Sequence, residues 1–288
     1  MSPSEPLPAE LYTRPETFQR ERRGVFESAW LLLARAGALK RPGDYVAQNL
    51  GGWPVFAIAE AGGAPRAFRN VCRHQKLPLF DSGAGHCEQI RCRYHGWTYD
   101  TNGRFISAPP QVAPGGDLSH DLEPVATEQL QGLLFVHLGQ DAPALADSLP
   151  ALASALTEVG LETLGFQAEI TTDIDANWKL VMEQAIEASV PDITRTAAWP
   201  CLILDRMDGG AVLHQVIARS FRRTRIHHHH YGASGAGEAA ATHADHWKAG
   251  ALARQSALES DAAAAPPISP ELESFRNRIR AAHLGSPL

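Results

Sequence analysis

The sequence predicts an α+β protein in three parts: an N-terminal helical segment (residues 1–40), an all-β module (residues 41–140) and a second domain of antiparallel strands and helices (residues 141–288). Three observations carry this reading. From residue 43 to residue 139, short β-rich runs at 45–46, 55–58, 105–106 and 133–138 are broken by Gly, Pro, Asn and Asp. Ahead of that stretch Phe18, Val25, Phe26, Trp30 and Leu33 recur at helical spacing among charges, which predicts an amphipathic helix over residues 15–35. The length, 288 residues, leaves room for two cores at about 150 residues each.

Beyond the module, a Pro- and Ala-containing stretch (140–155) reads as a linker running into a helix. Residues 165–175 read as a strand, and residues 177–189 as a helix that Pro191 stops, because proline disfavours helical geometry in the residue before it. Runs at 201–205, 212–220 and 223–231 read as antiparallel strands. From Asp245 onward the pattern is helical, apart from a Pro/Ala-rich break at 262–270. No internal repeat is present.

Composition narrows the function classes. Hydrophobic residues at 44% and charged residues at 20% are ordinary for a globular protein. A formal charge of -6 argues against nucleic acid or an anionic membrane as partner, since both reward clustered Lys and Arg, and leaves room for a redox protein with a basic patch. No apolar run has the length of a signal-peptide core or a membrane span, so the expected location is the cytoplasm. The four cysteines (Cys72, Cys87, Cys92, Cys201) are too few and too unevenly placed for a disulfide framework, which favours metal binding.

The central segment reads Cys72-Arg73-His74, then, after 17 residues, Cys92-Arg93-Tyr94-His95 and Gly96. A C-x-H pair and a C-x-x-H pair supply two thiolates and two imidazoles from two loops. This donor set matches a Rieske-type [2Fe-2S] cluster, with one iron held by Cys and the other by His. The same four side chains could hold Zn²⁺ tetrahedrally, but zinc fingers usually pair like ligands, whereas each loop here mixes one Cys with one His. Gly96 suits close approach of backbone N–H to cluster sulfur. Cys87 and Cys201 have no such partners and read as small packed thiols.

This segment resembles the Rieske non-haem iron oxygenases, the ring-hydroxylating and N-demethylating alpha-subunit family. The likeness extends through Tyr12-Thr13-Arg14-Pro15-Glu16, Phe26-Glu27-Ser28-Ala29-Trp30, Pro42-Gly43-Asp44-Tyr45, residues 67–72 and residues 95–100, roughly the first half of the chain. Leu77 and Tyr94 stand where respiratory Rieske proteins carry a disulfide, so the resemblance implies a low-potential cluster, towards ~-150 mV. One departure is Gln75-Lys76, where the family usually has Arg-Gly. For the second half the resemblance implies a truncated helix-grip-like catalytic domain, an antiparallel sheet with helices.

In that family the catalytic domain holds a mononuclear iron in a two-His, one-carboxylate triad. Asn177, Trp178, Lys179, Glu183 and Glu187 look like the helix that precedes it. Counted from Glu187, the two His places hold Val190 and Arg195, and no histidine occurs between His137 and His214. Valine has no lone pair to give, and arginine stays protonated without an acceptor. The expectation is therefore that mononuclear Fe(II) is absent. Glu187 corresponds to the family's inter-subunit electron bridge, or else is a solvated helix acid. Arg195 is expected to pair with Glu187 or with Asp245, because a buried acid without a cation is costly.

Residues His227, His228, His229 and His230 form an internal run. On a strand at most two would face the domain together, which leaves either a replacement metal site with Asp245 or a partly stacked strand. His243 and His246, three apart, could share a helix face. The expected function is a [2Fe-2S] subunit that passes electrons to the iron of a neighbouring catalytic oxygenase subunit, in a hetero-trimer or hexamer fed by a flavin or ferredoxin reductase. The alternatives are an autonomous oxygenase with a non-standard metal site and a ferredoxin-like carrier.

Overall fold

The computed structural model describes residues 7–115, 119–232, 236–259 and 269–284. The chain packs as two units, Trp30–Ala142 and Met1–Ala29 with Pro143–Leu288. The mixed α+β class is as the sequence predicts.

The Trp30–Ala142 unit is built from ten strands: β1 (Trp30–Arg35), β2 (Asp44–Leu50), β3 (Trp53–Ile58), β4 (Arg66–Arg69), β5 (Gly83–His86), β6 (Ile90–Arg91), β7 (Thr98–Tyr99), β8 (Phe105–Ser107), β9 (Pro124–Leu130) and β10 (Leu133–His137). Seven of them form an antiparallel sheet in the order β1-β10-β9-β4-β3-β2-β5, and β6-β7-β8 form a smaller one. Leu50 and Trp53 pair across Gly51 and Gly52, whose φ values of 57° and 88° are what a tight two-residue hairpin demands. The core of this unit joins Phe56, Phe68, Ile90, Trp97 and Tyr99 to Cys72 and Cys92. Both cysteines are thus anchored in packed apolar structure.

The N-terminal helix is shorter than its spacing suggests. Helix α1 (Glu10–Thr13) is followed by α2 (Pro15–Glu21), which continues as a π-helical stretch, Arg22–Glu27. Trp30 then opens β1, paired with His137 of β10. Residues 30–34 are a continuous apolar run, and such a run satisfies helical and buried-strand templates alike; pairing with β10 decides it.

The other unit adds α3 (Leu145–Ser148), α4 (Pro150–Val159), β11 (Phe166–Ile174), α5 (Trp178–Glu187), β12 (Thr194–Ala198), β13 (Leu202–Met207), β14 (Gly210–Ser220), β15 (Arg223–Gly232), α6 (Ala236–Glu259) and α7 (Pro270–Leu284). Its five strands form an antiparallel sheet, β11-β15-β14-β13-β12. Strand β12 is absent from the sequence reading, and α6 begins well before residue 245. The expected break lies outside the described residues, save for Ser269 and for Pro270, which opens α7.

Helix α5 is fixed at its start by Asn177, whose side chain accepts from the Lys179 N–H (3.0 Å) and donates to the carbonyls of Tyr12 (2.9 Å) and Phe221 (2.8 Å). Buried charge then ties this helix to its neighbours. Lys179, fully buried, donates to Glu21 (2.6 Å), which also accepts from the Trp178 indole (2.9 Å). Burial pushes the Glu21 carboxyl up, but Lys179 and its other donors hold it below the ordinary value. Glu183 accepts from Tyr12 (2.6 Å) and from two nitrogens of Arg276 (3.2 and 2.9 Å). Removing one partner of such a pair strands a charge out of water. Lys179→Met is therefore expected to lower unfolding free energy by about 3 kcal/mol in denaturant melts, with Glu21→Gln in the same chain restoring much of it. A loss below about 1 kcal/mol would contradict the assigned role of this pair.

Candidate metal centre

Two loops with the same hydrogen-bond frame bring the four predicted donors together. In the first, the Cys72 N–H donates to Leu77 O (2.7 Å) and the Lys76 N–H returns to Cys72 O (2.9 Å). In the second, the Cys92 N–H donates to Trp97 O (2.8 Å) and the Gly96 N–H returns to Cys92 O (2.9 Å). The residue four beyond each cysteine has left-handed backbone, φ 60° at Lys76 and 72° at Gly96. Glycine takes this conformation freely, whereas a lysine there carries strain of order 1 kcal/mol. The Gly96 amide closes the turn on the Cys92 carbonyl. Asn70 fixes the far end of the first loop, donating to Phe80 O (2.8 Å) and accepting from the Leu79 and Phe80 amides (3.2 and 3.0 Å).

Cys72 and Cys92 are buried, and their thiols interact. His74 and His95 are half-buried, with ring centroids 4.8 Å apart, and His74 stacks on Trp97 at 5.1 Å. The Trp97 indole is itself held by Val112 O (2.8 Å). The Tyr99 hydroxyl accepts from the Arg73 N–H (3.1 Å), which leaves its own proton for Cys72 Sγ at 3.3 Å. Burial pushes the Cys72 thiol up. The buried Cys201 thiol is pushed up to about 12, and burial also raises Cys87, so both stay protonated and unreactive near neutrality.

The donor set fits a [2Fe-2S] group. His74 Nδ1 is buried without a hydrogen-bond partner, as suits a nitrogen whose lone pair goes to a metal. Each loop supplies one Cys and one His, a donor set of two thiols and two imidazoles that suits two irons with unlike ligands.

The comparisons agree. Residues 29–128 match the model of the Rieske [2Fe-2S] domain. The glycine betaine monooxygenase oxygenase subunit of Chromohalobacter salexigens is 34% identical over 178 residues, 62% of this chain and 40% of that protein. The carnitine monooxygenase oxygenase subunit of Escherichia coli K12 is 31% identical over 186 residues, 63% and 50% of the two chains. The chain thus spans about half the length of these curated relatives, or less. Among solved structures, the apo form of the quaternary ammonium Rieske monooxygenase CntA superposes with a TM-score of 0.82 at 20% identity, over 96% of this chain and 94% of that one. Naphthalene 1,2-dioxygenase with indole bound gives 0.66 at 18%, over 97% and 80%. Residues 29–128 are thus a Rieske [2Fe-2S] domain, and the chain is similar to the oxygenase subunits of Rieske monooxygenases.

The helix that bears Glu187 leads into a cluster that is not apparent from the sequence. Glu187, the last residue of α5, pairs with Arg254 of α6, and its other oxygen is buried without a partner. Val190 follows the helix and is half-buried. Arg195 pairs with neither Glu187 nor Asp245, as expected from sequence, but with Asp205, directly opposite it on β13: Nε and one terminal nitrogen each donate at 2.6 Å. Its remaining terminal nitrogen donates to Ala185 O (2.7 Å) and Ala188 O (2.8 Å), capping the end of α5. The guanidinium lies over the Trp247 ring at 4.8 Å. Asp245 is exposed. The side chains of His243 and His246 lie outside the described residues.

The cluster continues through imidazoles. His214 Nε2 lies 3.3 Å from Asp205, His214 Nδ1 is 2.7 Å from His228 Nδ1, and His228 Nε2 is 3.2 Å from the Thr172 hydroxyl. A carboxylate only accepts, so His214 carries its proton on Nε2, His228 on Nδ1, and Thr172 donates; all six heteroatom roles are then consistent with neutral rings. Burial first, then the neighbouring histidines, drives His228 down to about 2. The four-histidine run splits by strand alternation, as expected. His227 and His229 reach Glu169 on β11 (2.7 and 3.3 Å) and stack on each other, while His228 and His230 take the opposite face. Asp205, Tyr12 and Glu21 were not legible as functional residues, since their partners lie on other elements.

Burial pushes the Asp205 carboxyl up, but hydrogen bonds from Arg195 and His214 outweigh it and hold the group at about 2. Stability from this pair is therefore complete above the unfolded aspartate value of about 4 and is lost as pH falls towards about 2. Arg195→Ala is expected to cost about 3 kcal/mol at pH 7 and to move acid unfolding to higher pH, since it strands the carboxylate and frees two carbonyls. Denaturant melts at pH 7 and pH 4 check this; a change within about 0.5 kcal/mol rejects it.

Proposed function

We propose that this chain is the [2Fe-2S] electron-transferring subunit of a Rieske oxygenase, serving the mononuclear iron of a neighbouring catalytic subunit and holding no such iron itself. Cys72, His74, Cys92 and His95 are its cluster ligands, and the bound cluster supplies reversible one-electron transfer. Tyr99 donates to the Cys72 sulfur and so favours the electron-rich form. Trp97 walls off His74, and Asn70 keeps the first loop closed.

The Arg195 clasp is what speaks against a mononuclear iron in this chain. The side chain at the second His place counted from Glu187 has no lone pair to offer, and its donors are committed to Asp205 and to the end of α5. His214 Nδ1 and both ring nitrogens of His228 are engaged in hydrogen bonds, and His214 Nε2 faces Asp205 at 3.3 Å. The curated relatives are named as oxygenase subunits acting on glycine betaine or carnitine, which makes quaternary ammonium compounds the substrate class of the assembly. Glu187 is the residue through which electrons leave for the neighbour. A flavin or ferredoxin reductase supplies them, and a hetero-trimer or hexamer with the catalytic subunit brings the two sites together.

The test is turnover of glycine betaine or carnitine by this chain alone and by this chain co-produced with a full-length oxygenase subunit. The expected result is turnover by the pair only, abolished by Cys92→Ala in this chain. Turnover by this chain alone would overturn the proposal.

A further inference from the structure

We propose that a cavity between α4, α5 and α7 is a binding site for a medium-chain aliphatic monocarboxylate, with Arg278 as the partner of the carboxylate. The site uses no residue of the cluster loops or of the Arg195 clasp.

The cavity, about 420 Å³, lies among α4, α5, the end of β12 and the first turns of α7. Protein interiors are close-packed, so a space of this size beside buried Leu152, Met182 and Phe275 needs a cause. The sequence supplies one: β12 ends on Ala197 and Ala198, whose methyl groups leave open what a larger side chain would fill. Met182 and Ile186, four apart, give the cavity an apolar stripe of α5, while Glu183 and Glu187, one residue on in each case, turn to Arg276 and Arg254. A second space of about 480 Å³ shares Pro270, Ser274 and Arg278 with the first and continues past Asn277 to Ala281. From Pro270 to Ala281 is about 16 Å of helix, so the two spaces together suit an extended chain better than a compact ring.

One charge selects the ligand. Arg278 lines both spaces, is exposed and pairs with no acid among the described residues; its guanidinium lies over the Trp199 ring, 5.5 Å from the centroid. Stacking fixes the planar fork, which then loses little freedom on meeting a carboxylate. Ser274, one turn earlier on the same face of α7, adds a hydroxyl donor. Glu271 also lines the cavity, seven residues before Arg278 and so about 10 Å away along the helix. With one arginine and that acid in the same lining, a monoanion is matched and a dianion such as a phosphate monoester is not. A quaternary ammonium compound would meet a like charge at the indole face that Arg278 covers.

The test is calorimetric titration of the full-length, cluster-loaded chain with sodium octanoate below its micellar concentration. Saturable binding at one site is expected, with butyrate weaker by about tenfold or more because it buries less apolar surface. Arg278→Gln should weaken octanoate by about tenfold and leave octanamide, the same chain without the charge, unchanged. Ala197→Leu, which fills the cavity, should abolish binding of both. Saturating octanoate should also raise the melting temperature of the wild type and leave that of Ala197→Leu where it is. No saturable binding to the wild type, equal affinity for octanoate and octanamide, an unchanged octanoate Kd in Arg278→Gln, full binding by a folded Ala197→Leu chain, or displacement of octanoate by an equal concentration of glycine betaine overturns the proposal. Should Ala197→Leu fail to fold, the Arg278→Gln comparison decides by itself.

Discussion

A metal ligand must own a free lone pair, and that requirement governs what each half of this chain can hold. The two loops of the β module present thiols and imidazoles whose nitrogens are either free or half-buried at the surface. At the end of α5 the corresponding ground holds a guanidinium, the one common side-chain head with five donors and no acceptor. The clasp it makes with Asp205 is not a weak surface pair. Asp205 is fully buried and Arg195 nearly so, and the same guanidinium satisfies two carbonyls that the end of the helix leaves open. A cation fixed by covalent attachment to the chain can do part of the structural work of a bound metal ion, drawing a buried acid, a helix end and an indole face to one point, without any of its chemistry.

The same logic explains the dense ionic packing around α5. Glu21, Lys179, Glu183, Arg254 and Arg276 are brought together from four helices, and nearly every charge has at least one partner of opposite sign within hydrogen-bond reach. Buried pairs of this kind add little net stability over apolar packing, but they penalise mispacking heavily, because any slip leaves a charge alone. They tie the N-terminal helices to a helix more than 150 residues further along the chain, through Lys179 with Glu21 and Tyr12 with Glu183.

How much of this was legible in the sequence depended on the range of the interaction. The C-x-H and C-x-x-H pairs announced the cluster loops because ligand identity and spacing are local, and strands such as β3 and β10 were visible through their β-branched and aromatic runs. The Lys76 conformation was not, because nothing in Gln75-Lys76 signals positive φ; only the likeness of its hydrogen-bond frame to that of Gly96 gives it away. Strand β12, Thr-Arg-Thr-Ala-Ala, lacks apolar alternation and exists because it pairs with β13. That missing strand is also why the partner of Arg195 was misplaced. Cross-strand register puts Asp205 opposite it, ten residues on, whereas a reading along the helix looked to Glu187, which Arg254 in fact holds. The segment from Phe26 to Leu33 failed for a different reason, since a short apolar run fits two periodicities at once.

The proposed function requires a [2Fe-2S] pair and no separate mononuclear iron in this chain. Mössbauer spectroscopy of the purified chain grown on ⁵⁷Fe distinguishes the two kinds of iron. All bound iron is expected in the two signals of a diiron cluster with unlike ligands at its two irons. A further high-spin ferrous signal in stoichiometric amount would contradict it.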